Sequence, residues 1–152
     1  MRGGVIPLLV GLLLVVAGCS GSSETYAIEP TEACLGGKGV TVVDFEKPAP
    51  GEPRGPLTAT HGHLLARGAV PVSVLFGKDA AEAAAIAERL DDYHYLGGEG
   101  REYELELRRR GNAVLGAQVP VEQEFYDPPA DEVDEALDAA EDCLRAEAPG
   151  DA

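Results

Sequence analysis

The chain has 152 residues, with 27 acidic against 12 basic side chains and a formal charge of -15 at pH 7. A balance of that sign excludes binding along nucleic-acid phosphates, which needs clustered Lys and Arg; the one basic cluster, Arg108-Arg109-Arg110, is too small to offset it. The acidic excess serves solubility alone or, on the other reading, also favours a cationic partner. Arg2 precedes an apolar run from Val5 to Ala17. About a dozen residues is the length of a secretory h-region and well short of the ~20 needed to span a bilayer.

The run ends in Val16-Ala17-Gly18-Cys19 and gives way at once to Ser20-Gly21-Ser22-Ser23. This ending resembles the lipobox of bacterial lipoproteins. The resemblance implies a signal peptide over residues 1–18, cleavage before Cys19, a diacylglyceryl group on its thiol, and a protein held on the extracytoplasmic face of a membrane without crossing it. Each buried methylene contributes ~0.8 kcal/mol, so two or more acyl chains anchor stably where one is marginal. The alternative is an ordinary signal peptide with a cysteine near its cleavage site. Losing residues 1–18 removes Arg2 and no acid, which leaves a charge of -16.

With Cys19 given to lipid, Cys34 and Cys143 remain. In an exported protein an even pair reads as a disulfide, here one that ties the two ends of a domain together. A reactive thiol pair is the alternative, but the Cys-x-x-Cys spacing that poises redox chemistry is missing.

Residues 19–29 make the lipidated cysteine and tether, of which Ser20 to Thr25 is a flexible coil reaching on the order of 15 Å. A single domain is expected over residues 30–147, followed by a tail over 148–152. Pro30 to Leu35 predicts a helical turn or short helix, stopped by Gly36-Gly37, and Val40 to Phe45 a strand. Residues 46–61 carry Pro48, Pro50, Pro53 and Pro56 and predict a long loop, read as a mobile excursion or, alternatively, a binding loop.

His63 to Ala66, an Arg67-Gly68 turn and Val70 to Phe76 follow, with Val70, Val72, Val74 and Phe76 alternating onto one face. Pro71 places this strand at an edge or itself near the strand start. Asp79 and Glu82 predict a capped helix whose stripe is Ala83, Ile86, Ala87, Leu90 and Tyr93, ended by Gly97-Gly98. Tyr103, Leu105 and Leu107 alternate with Glu102, Glu104 and Glu106, and Arg110-Gly111-Asn112 turns the chain into Ala113 to Val119, a hairpin. Pro128-Pro129 opens a last helix with Val133, Ala136, Leu137, Ala140 and Leu144 on its buried side and Cys143 beside them.

These elements predict an α+β domain, a two-layer sandwich of a mostly antiparallel sheet with both long helices on one face. Leu64–Leu90 and Leu107–Leu144 share an Arg-Gly turn, an apolar strand and a helix, which reads as a ββα quasi-repeat. From Ala33 to Arg145 the chain resembles small exported lipoproteins of high-GC bacteria, in which an early Cys-Leu, an Arg/Gly-Asn hairpin and a late Cys-Leu frame a compact domain. That resemblance implies no activity.

Chemistry-bearing patterns are sparse. His61-Gly62-His63 offers two metal-ligand imidazoles, too few for zinc unless His94 or a carboxylate such as Asp44 joins them. Gly36-Gly37-Lys38-Gly39 precedes a strand and lacks the Ser or Thr of a phosphate loop. Ser73 has no Gly-x-Ser-x-Gly elbow, and the alternation of Glu102, Glu104 and Glu106 with Arg108 on one strand face is that of a solvated sheet surface. The expected function is therefore a non-enzymatic interaction or structural module of the cell envelope, needing no cofactor and held to the membrane by lipid on Cys19. The alternatives are an inhibitor of a cationic extracellular enzyme such as a lysozyme-like hydrolase, and a small metal-dependent enzyme using His61 and His63.

Overall fold

The computed structural model describes residues 24–45, 57, 59, 61–96, 100–121 and 128–146. The apolar run, Cys19, most of the proline loop, Gly97-Gly98 and the tail lie outside the described residues. In chain order the elements are α1 (Ile28–Gly37), β1 (Thr41–Phe45), β2 (Gly62–Arg67), β3 (Val72–Phe76), α2 (Ala80–Leu90), β4 (Tyr95–Leu96), β5 (Glu102–Arg110), β6 (Ala113–Pro120) and α3 (Ala130–Glu141). The strands form one antiparallel sheet in the order β1-β2-β3-β6-β5-β4, so the domain is α+β.

Local chemistry explains several boundaries. Asp79 caps α2 by accepting the Glu82 backbone N–H at 2.8 Å, while the Glu82 carboxylate accepts the Lys78 N–H at 2.7 Å. The helix stops at Leu90, not at Gly97-Gly98 as its stripe suggested. Asp91 and Asp92 put negative charge at the negative end of the helix, and Tyr93 N–H closes a tight turn on the Leu90 carbonyl. Pro71 falls just before β3, whose backbone then pairs on both sides. Packing begins earlier than the expected domain start at residue 30: Tyr26 bridges Ala146, and Ala27 N–H donates to the Arg145 carbonyl at 2.9 Å.

The core lies in two parts, one on each face of the sheet. Val72, Val74, Phe76, Ala113, Leu115 and Ala117 pack with Leu35 of α1 and Val133, Leu137 and Ala140 of α3. Leu75, Val114 and Leu105 pack instead with Ala83, Ile86 and Leu90 of α2, joined by Leu57 and Ala59 from the end of the proline loop. The two long helices thus lie on opposite faces, which corrects the two-layer expectation. The cause is visible in β3 and β6: Val72–Phe76 and Ala113–Ala117 are buried at every position, so each face needs its own cover.

The same fact limits the quasi-repeat. The sheet runs β2-β3-β6-β5 with neighbours antiparallel, so laying β2 on β5 and β3 on β6 takes a half-turn about the sheet normal. That rotation keeps a helix on its face, whereas α2 and α3 are on different faces. The ββα order is shared; the arrangement is not.

Candidate functional site

The later part of the expected tether, at Glu24 and Tyr26, lies on the β5–β6 turn. Gly111 and Asn112 form a two-residue loop between the paired Arg110 and Ala113. Gly111 has φ of 49°, and a Cβ there would collide with the Glu24 carbonyl oxygen, so glycine both makes the turn and lets the N-terminal strand cross it. Asn112, 2% exposed, accepts the Tyr26 backbone N–H on Oδ1 at 2.6 Å. Its Nδ2 donates to the carbonyls of Tyr26 at 3.1 Å and Gly77 at 2.9 Å. One side chain thus joins the N-terminal segment, the β5–β6 turn and the β3–α2 junction.

Asn112→Ala would leave the Tyr26 N–H and the Gly77 carbonyl without their partner, and an unmet buried polar group costs more than the bond contributes. The expected loss is about 2–3 kcal/mol, read as a lower urea midpoint at unchanged slope.

Beside this node is a cleft of about 700 Å³ lined by Tyr26, Ile28, Asp44, Phe45, His61 and Asn112, among others. The Tyr26 hydroxyl donates to the Glu24 carboxylate at 2.5 Å; that bond, then burial, holds the phenol above its usual pKa. Asp44 and His61 both line this cleft, but the other histidines do not join them. His61 is exposed on the cleft wall, whereas His63 is buried in β2 with its ring stacked on Phe45 at a centroid distance of 4.6 Å. Its Nε2 has no hydrogen-bond partner, and burial lowers its pKa to about 4. His94 follows α2 at the opposite edge of the sheet, 3.4 Å from Glu102. Among the described residues no three His, Cys, Asp or Glu side chains converge as a metal site.

Cys34 and Cys143 are joined, with Cα atoms 5.4 Å apart and a sequence separation of 109. The bond links α1 to Cys143, two residues beyond α3, within one face of the core. Lys38 is committed here too: its Nζ lies 3.4 Å from the Ala139 carbonyl and 3.9 Å from Asp142, so Gly36 to Gly39 closes a helix end.

The glutamate face of β5 is covered by more than solvent. Arg108 pairs with Asp134 and Asp138, and Arg110 with Glu141, all from α3. The spacing 134, 138, 141 was a readable signal, since residues three and four apart share a helix face. Ser73 is buried in β3 with its hydroxyl unpaired. No helix among the described residues is long and apolar enough to cross a membrane. No protein-family model, no curated protein and no solved structure matches the chain.

Proposed function

We propose that the chain is an exported, lipid-anchored interaction module of the cell envelope that acts without catalysis. The observation that carries this reading is the Cys34–Cys143 disulfide. It uses two of the three cysteines and leaves Cys19 alone at the end of the apolar run, where a lipobox places its acylated residue. A disulfide also accords with an oxidising, extracytoplasmic compartment. The acyl chains on Cys19 hold the protein, and the short polar segment after it keeps the domain near the membrane surface.

Cys19→Ser tests the anchor in cells. The expected result is release from the membrane fraction or an uncleaved signal peptide, with loss of the acyl mass from the N-terminal peptide. Unchanged mass and unchanged detergent partition would overturn the reading.

A further inference from the structure

A second concavity lies at the other end of the sheet. The N-terminal segment enters where Gly62 pairs with Phe76; four residues along, Ala66 pairs with Val72, and beyond that pair a groove of about 410 Å³ opens. Its floor is apolar, built from Leu35 in α1 and Val40 after it, Val70 and Val72 at the β2–β3 turn, and Ala136 and Ala139 on α3. The small side chains of α3 keep it open. Among the described residues its only charged lining is Glu132 and Glu135, one helical turn apart. Both are exposed, and neither has an ion pair among the described residues, unlike Asp134 and Asp138 on the adjacent face. Arg67, next in sequence to the turn, shares the strand register of His63 and Leu65 and so lies on the opposite face of the sheet.

We propose that this groove is the docking site for a basic, amphipathic segment of a partner protein, with an apolar side chain in the groove and Lys or Arg on Glu132 and Glu135. The inference rests on the reading of the chain as an interaction module and names the class of its partner. An apolar pocket of this size accepts a large anchor side chain, and interface energy concentrates on such anchors. The carboxylates select the partner's charge: they would repel an acidic segment and the headgroup of a fatty acid alike. The location suits this role, because the groove is at the end of β2 and β3 remote from the membrane-proximal N-terminal segment.

The test uses the full-length protein in phosphatidylcholine nanodiscs, with empty nanodiscs subtracted, and a dye-labelled pentapeptide of one phenylalanine flanked by two lysines on each side. Fluorescence anisotropy reads the affinity. Glu132→Gln with Glu135→Gln is expected to weaken binding about tenfold. Replacing the peptide's phenylalanine by serine should weaken it at least tenfold. Ala139→Phe, which fills the groove, should abolish it, with circular dichroism and the intact disulfide showing that the variant folds. Glu104→Gln with Glu106→Gln removes the same charge elsewhere and should change the affinity less than twofold.

Equal loss in the Glu104/Glu106 variant would show attraction by net charge alone and overturn the proposal. So would undiminished binding by folded Ala139→Phe. Absence of peptide binding together with a dimer in sedimentation that Ala139→Phe dissolves would assign the groove to a second copy of this chain; absence of binding with co-purified lipid lost in that variant would assign it to an acyl chain. The same titration with full-length Cys19→Ser separates the two readings, since peptide binding by an unanchored protein leaves the groove standing whatever becomes of the anchor.

Discussion

Replacing Cys34 and Cys143 together by alanine is expected to lower the unfolding free energy by up to ~4–5 kcal/mol, because the disulfide closes a loop of about 110 residues and the unfolded chain regains that freedom. Alanine at both positions also avoids a buried free thiol, since Cys143 is fully buried. For a domain of this size the loss corresponds to a melting temperature lower by on the order of 15 °C. Calorimetry on the oxidised protein and the double variant measures it, and reduction of the parent should reproduce the shift. A double variant that melts within 2 or 3 °C of the parent would show that the α1–α3 packing holds without the bond.

Acid should weaken the fold through His63. In the folded state its imidazole is buried, stacked on Phe45 and without a partner for Nε2, and its pKa falls to about 4. Above the unfolded value of ~6.5 the ring is neutral in both states and costs nothing. As pH falls below ~6.5 the unfolded chain takes up a proton that the folded protein refuses, so stability declines until about pH 4 and then levels off for this group. The total is ~3 kcal/mol for a shift of this size. His63→Phe keeps an aromatic ring against Phe45 and should flatten the profile between pH 6.5 and 4, as measured by urea unfolding across that range. An unchanged slope in the variant would place the acid sensitivity elsewhere.

Much of the fold was legible because its signals are local. The Asp79–Glu82 cap, the Gly111-Asn112 turn and the apolar stripes of α2 and α3 each lie within a few residues of one another. The layer arrangement was less legible, because Val70, Val72, Val74 and Phe76 alternate onto one face while Leu75 between them serves the other. An apolar residue at both parities, repeated in Val114 and Leu115, is the sign of a strand covered on two faces. Asn112 was legible as a turn residue and not as a clamp, because its partners are 86 and 35 residues away. His63 was legible as a candidate metal ligand and not as a stacked ring for the same reason: Phe45, on which it stacks, comes from β1 across the proline loop. The groove could not be read at all, since its walls come from α1, the β2–β3 turn and α3 and meet only in the folded chain.

The position of the disulfide also decides how the molecule carries a mechanical load. All six strands and both long helices lie between Cys34 and Cys143. Tension applied between an anchored N-terminus and the C-terminal end therefore runs from the first through the sulfur bridge to the second, and does not pass through the backbone of the sheet. Such a pull strips contacts outside the bridge, among them the Asn112 clamp, the Tyr26–Ala146 pairing, the Ala27–Arg145 bond and the first turns of α1, before it meets a covalent stop. If lipid on Cys19 holds the domain by one end, as proposed, the surface that carries the groove is spared the strain.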